Sequence, residues 1–114
     1  MASDTRAAKN FWATCYSRPM YGLIRSKRFV KSFRKLQRSG CFTQSVREDL
    51  EEIFGVFARG EVLPHSFFDH QLKGEYAAYR ECHIRGDLLL MYRKDESARA
   101  VVLSDIGTHP QLFG

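Results

Sequence analysis

Three of the chain's four histidines fall in a short polar pattern: Asp69-His70, then Glu81-Cys82-His83, then Asp87, then Gly107-Thr108-His109-Pro110-Gln111-Leu112-Phe113. Imidazole titrates closest to neutrality of all side chains, so it can give or take a proton at working pH. Three imidazoles interleaved with carboxylates are the raw material of acid–base catalysis, in which one positioned group contributes about 10²–10⁴-fold. The pattern does not read as a zinc site, because the histidines lack short ligand spacing and no Cys-x-x-Cys pair accompanies them. No metal and no cofactor is expected. His65, beside Pro64, reads as a surface loop residue. Taken singly, His83 would also suit a structural role and His109 that of an exposed bystander.

The elements that must position these residues follow from periodicity and turn signals. Met20 to Arg25 reads as a first strand, with Tyr21, Leu23 and Ile24 apolar. Ser26 is an N-cap candidate for a helix running to Ser39, and Gly40 is its stop. Phe29, Val30, Phe33 and Leu36 form its apolar stripe. A second helix is expected from Thr43 to Arg59, lined by Val46, Leu50, Ile53, Phe54 and Phe57. Ser45 and Glu48 have capping-box spacing at its start, and Gly60 ends it. After Leu63-Pro64, Tyr76 to Ile84, Leu88 to Arg93 and Arg99 to Ile106 read as strands separated by the turns Arg85-Gly86-Asp87 and Asp95-Glu96-Ser97. Short links favour an antiparallel meander. Alternation puts Tyr79, Glu81 and His83 on one face and Arg80, Cys82 and Ile84 on the other. The expected fold is α+β, in the order β-α-α-β-β-β, with a helical hairpin packed on a mainly antiparallel sheet and a short C-terminal helix or turn.

The 114 residues suit one domain. Residues 1–19 read as an N-terminal extension, closed by Pro19, in which Phe11, Trp12 and Tyr16 have the spacing of a short docked helix; the compact domain is expected over residues 20–114. No apolar run approaches the ~20 residues of a membrane span, and no secretory h-region is evident. Cys15, Cys41 and Cys82 are an odd, widely spaced set, which points to a reducing, cytosolic setting and to thiols that act as small apolar filler. The net charge of +5 is uneven: residues 1–60 carry 12 basic against 5 acidic residues, and residues 61–114 carry 6 against 8. Arg25 to Arg38 holds seven basic residues and no acid. Such a stripe attracts a polyanion or an acidic protein segment, unless it is simply a solvated helix face.

The order of these elements, with Leu72-Lys73-Gly74, Tyr79-Arg80-Glu81-Cys82-His83-Ile84, Asp87-Leu88-Leu89-Leu90-Met91-Tyr92 and the Gly107–Phe113 segment, resembles the YafQ branch of the RelE-like bacterial toxins over roughly residues 20–114. The resemblance implies a microbial-RNase-like fold. It also implies a metal-independent endoribonuclease that cuts mRNA in the ribosomal A site, and a cognate antitoxin that forms a hetero-oligomer with it. Matched by motif, His70, His83, Asp87, His109 and Phe113 take the family's site positions. Leu88 stands where the family often has tryptophan, and Glu81 where aspartate is common.

RNA carries its own nucleophile, the 2′-OH, so cleavage needs a base, an acid for the leaving 5′-oxygen, and positive charge at the phosphate. His109 is the expected acid and Asp87 the leading base, with His70 and His83 orienting substrate or sharing proton transfer. Lys73 and Arg85 rank ahead of Arg80 for phosphate, since Arg80 falls on the strand face opposite His83. Glu81 is counted among the substrate-contacting residues, and Phe113 offers a stacking surface for an unpaired base. Two rival readings stay open. A gyrase-inhibiting toxin of the related ParE type would not need the clustered histidines. A non-catalytic RNA- or protein-binding module would work through the Arg25–Arg38 stripe.

Overall fold

The computed structural model describes residues 20–113. The expectation of a docked helix around Phe11, Trp12 and Tyr16 lies outside the described residues. The chain enters β1 (Gly22–Arg25) and turns at once into helix α1 (Lys27–Arg38). Ser26 makes that turn, because its extended backbone lets Oγ accept the Phe29 amide at 3.0 Å while donating to the Ser104 carbonyl at 2.9 Å. Gly40, at φ +83°, follows the last turn in the left-handed conformation that a glycine adopts without strain.

Helix α2 (Gln44–Ala58) is capped by Thr43, whose Oγ1 accepts from the Val46 amide at 3.2 Å. The capping box expected at Ser45 and Glu48 does not form. Thr43 already provides the extended residue, Ser45 lies inside the helix, and Glu48 accepts instead from the Gln44 side chain at 3.1 Å.

A single turn of 3₁₀ helix, His65–Phe67, leads to β2 (His70–Gln71), a two-residue strand too short to announce itself by periodicity. Strand β3 (Arg80–Arg85) begins four residues later than its apolar run suggested, because Gly74–Tyr76 forms another 3₁₀ turn and the Tyr79 amide bonds back to Tyr76. Strands β4 (Leu88–Asp95) and β5 (Ala100–Thr108) complete the meander, and β5 runs directly into helix α3 (His109–Phe113).

The sheet order is β1-β5-β4-β3-β2, with β1 parallel to β5 and every other pair antiparallel. One face carries the main core: Phe29 of α1 and Leu50, Ile53, Phe54 and Phe57 of α2 bury against Cys82, Leu90, Tyr92, Val101 and Leu103. The opposite face is covered only by a small cluster, in which Leu112 of α3 packs on Leu89 and Met91, flanked by Leu72, Tyr76, Tyr79 and Phe113. This thinly covered face holds the histidines. No helix of the described residues is long and apolar enough to cross a membrane.

Candidate active site

The segment carrying His70 is anchored from behind. Asp69 turns away from the histidine face and accepts from Arg80 Nε at 3.3 Å, from Arg80 Nη2 at 3.0 Å and from the Tyr92 hydroxyl. Tyr92 is buried against Phe57, with ring centroids 4.4 Å apart. Burial, then the bond to Asp69, pushes the Tyr92 phenol well above its usual range. The Asp69 contact also raises the Arg80 guanidinium. Asp69 thus ties the segment that carries His70 to β3 and β4 from the core side. Burial likewise pushes the Cys82 thiol up, as suits apolar filler.

Pairing registers then line up the histidine face. His70 lies opposite Glu81, Glu81 opposite Met91, and Met91 opposite Asp105. In the next row, His83 lies opposite Leu89 and Leu89 opposite Gly107. His70 Nδ1 donates to the Phe68 carbonyl at 2.9 Å, and Nε2 meets Glu81 Oε1 at 3.2 Å. With Nδ1 so occupied, the Nε2–Oε1 contact needs a proton on one side or the other. Glu81 is 5% exposed, and its Oε2 is buried with no hydrogen-bond partner among the described residues. A buried oxygen left open costs stability, so this carboxylate is kept on the histidine face at a cost to the fold. The His70 and His83 rings lie 6.4 Å apart.

Phe68 completes this edge and went unnoticed in the sequence. It is 67% exposed, sits edge-on to His83 with centroids 5.6 Å apart, and adopts φ +49°. A bulky residue in the left-handed region is strained by about 1–3 kcal/mol, and Phe68 adopts it where it closes the His65–Phe67 turn, its amide donating to the His65 carbonyl at 3.0 Å.

Helix α3 supplies the other side. The His109 and Phe113 rings are 4.9 Å apart, and Tyr76 meets Phe113 edge-on at 5.1 Å. Gln111 Oε1 accepts from the Thr108 amide at 2.8 Å and lies over Gly107, where a Cβ would come within 2.8 Å of it. A side chain at position 107 would therefore have to push the Gln111 side chain off the end of β5. Leu88 pairs with Thr108, so Asp87 and His109 are the next positions along that ladder, at the same end of the sheet. Asp87 is exposed, with no hydrogen bond or ion pair among the described residues, and it borders a groove of about 360 Å³ with Lys35, Leu36, Cys41 and Gln111. No ion pair joins it to His109.

The three cations expected at the phosphate are scattered. Arg80 is held by Asp69 on the other face. Arg85 is held by Asp49 of α2, at 2.8 and 3.3 Å, a contact that raises its guanidinium. Lys73 is exposed before the 3₁₀ turn, with no bonded partner among the described residues. No group of three or more His, Cys, Asp or Glu residues stands close enough to hold a metal ion among the described residues.

Residues 21–114 match the family model described as the bacterial toxin of type II toxin–antitoxin systems, YafQ. Over 31 residues the chain is 55% identical to a YafQ toxin of Haemophilus influenzae, and over 52 residues it is 35% identical to the mRNA interferase toxin YafQ of Escherichia coli K12. Those stretches span 27% and 46% of this chain, and 30% and 54% of the two relatives' lengths. The crystal structure of a copper-bound L66S mutant toxin from Helicobacter pylori is similar over 82% of this chain and 100% of that one, at 39% identity and a TM-score of 0.71. The E. coli DinJ–YafQ complex shares the fold over 82% of this chain and 99% of that one, at 23% identity and a TM-score of 0.70. A family match across nearly the whole described domain, and a histidine face built from the same segments that carried the sequence resemblance, lead to one conclusion: the chain belongs to the YafQ family of type II toxins.

Proposed function

We propose that this toxin is an mRNA endoribonuclease that cuts on the ribosome and is neutralised by a cognate antitoxin protein bound as a hetero-oligomer. The observation that carries the reading is the open face on which His70, Glu81 and His83 share two adjacent register rows while α3 brings His109 and Phe113 over the same face. His109 protonates the leaving 5′-oxygen. Asp87, the neighbouring position at that end of the sheet, takes the proton of the 2′-OH. His70, fixed by Glu81 and the Phe68 carbonyl, and His83 beside it orient the ribose and share proton transfer. Phe113 and Phe68 offer faces on which unpaired bases stack. No step in this scheme calls for a metal. The antitoxin is supported by the family's toxin–antitoxin description and by the DinJ partner of the E. coli toxin.

The test is induced expression in bacteria with mapping of mRNA 5′ ends. New ends in phase with the reading frame are expected, together with growth arrest. DNA damage without new RNA ends would replace this reading with gyrase inhibition.

A further inference from the structure

The scheme above needs a fixed positive charge on the histidine face, and none of the expected cations provides one: Arg80 and Arg85 are tied to carboxylates elsewhere, and Lys73 has no partner to hold it. We infer that Arg28 fills this place and binds a phosphate of the RNA strand lying across α3. The inference rests on the nuclease reading.

The geometry begins with β1, which pairs with β5 only from Ala100 to Leu103. Beyond Leu103, β5 has no strand on its outer side. Helix α1 starts there, and Arg28 in its first turn reaches across the open edge to the histidine face. Its Nε meets Asp105 Oδ2 at 2.7 Å, and Nη2 donates to the Leu112 carbonyl at 3.4 Å. Asp105 is 2% exposed and its other oxygen accepts the Ile106 amide at 2.8 Å, so the carboxylate is a rigid seat. It is also the far end of the register row that begins at His70. Leu112 lies one helical turn after His109.

Neutralising Asp105 occupies one edge of the guanidinium. Yet the Arg28 side chain is 60% exposed, and its remaining N–H donors have no protein partner among the described residues. A guanidinium stays charged at any working pH and presents donors in a fork that matches phosphate oxygens. Held in place by a buried carboxylate and by the helix that carries His109, it loses little freedom on binding. The sequence hides this role: Arg28 is one of seven basic residues in an apparently uniform stripe, and its partner lies 77 positions away.

The test separates binding from charge neutralisation. Arg28→Gln with Asp105→Asn replaces the ion pair by neutral groups able to bond each other, and should melt like wild type. Single-turnover cleavage of mRNA on programmed ribosomes is measured across toxin concentrations. The double variant should retain at least a tenfold loss in kcat/KM. Recovery of the wild-type value would reduce Arg28 to a counter-ion and overturn the proposal. Should the double variant not fold, Arg28→Gln alone decides, through its affinity for a 2′-O-methyl RNA at several salt concentrations. One lost phosphate contact lowers the slope of log affinity against log salt by about 0.7; an unchanged slope overturns the proposal. A wild type that cuts no RNA overturns the nuclease reading, and this assignment with it, whereas equal cutting by wild type and the double variant overturns the assignment alone.

Discussion

Replacing Asp69 by alanine should unfold the toxin at a much lower temperature although Asp69 makes no contact with substrate in the proposed mechanism. The side chain is 15% exposed and takes three donated hydrogen bonds, two from Arg80 and one from Tyr92. Without it, the Tyr92 hydroxyl is left unbonded in a residue only 1% exposed, at about 1–3 kcal/mol. The Arg80 side chain, 36% exposed, loses its counter-ion as well, but water reaches it, so the total stays below that of a fully buried pair, at about 2–4 kcal/mol. For a domain of this size each kcal/mol moves the melting temperature by about 4–8 °C, so a fall of at least about 8 °C is expected by thermal unfolding monitored by circular dichroism. Asp69→Asn keeps one acceptor and should cost about a third as much. Tyr92→Phe in the Asp69→Ala background should restore part of the loss, because it removes the hydroxyl that has been left buried without a partner. A melting temperature for Asp69→Ala within about 4 °C of wild type would show that the network is not buried as described and that Asp69 serves another purpose.

His109→Ala should slow single-turnover RNA cleavage by at least about 10²-fold with an unchanged melting temperature, whereas Phe113→Ala should mainly raise the toxin concentration needed for half-maximal rate; equal rates for wild type and His109→Ala would remove His109 as the acid. Glu81→Gln should lower cleavage while leaving the melting temperature close to that of wild type, since the amide can still hydrogen-bond His70 Nε2 and an uncharged but equally unpartnered group replaces Oε2; unchanged cleavage by the Gln variant contradicts this. Both Tyr92 and Cys82 hold their protons more tightly in the native state than their ordinary values of 10.0 and 9.0. Their contribution is therefore complete below about pH 9 and is lost as pH rises above it, by up to about 1.4 kcal/mol per unit for each group. Urea unfolding between pH 8 and 11 should show the decline, and Tyr92→Phe should flatten it above pH 10.

The parts legible in the sequence were those set by local chemistry. Both helices, the Ser26 cap, the glycine stops and the three-strand meander follow from apolar period and turn residues, and alternation correctly divided β3 into a core side at Cys82 and Ile84 and a histidine side at Glu81 and His83. What stayed hidden depends on distant pairing. Strand β2 exists only because His70 and Gln71 find Glu81 and Arg80 as partners. Nothing local distinguishes Asp69 from a catalytic acid until Arg80 and Tyr92 arrive behind it. The motif resemblance assembled the histidines, but it did not reveal Phe68, whose significance lies in a backbone angle, or the dispersal of Lys73, Arg80 and Arg85 to three separate places.

Strand β5 has a consequence for how the toxin comes into being. It is the last strand in chain order, yet it lies between β1 and β4 and leads straight into the helix bearing His109. A growing chain that has not reached residue 100 holds a first strand with nothing to pair with and a β3–β4 hairpin whose inner edge is open. Domains acquire structure as they are synthesised, but here the pairing of greatest sequence separation, β1 with β5, must close before the five-stranded sheet is complete, a slow class of event. Strands β2, β3 and β4 can bring His70, Glu81 and His83 together by local pairing, but the helix bearing His109 is placed over them only after β5 has paired with β4, so the complete histidine face of each molecule assembles late. An antitoxin has that interval in which to meet it.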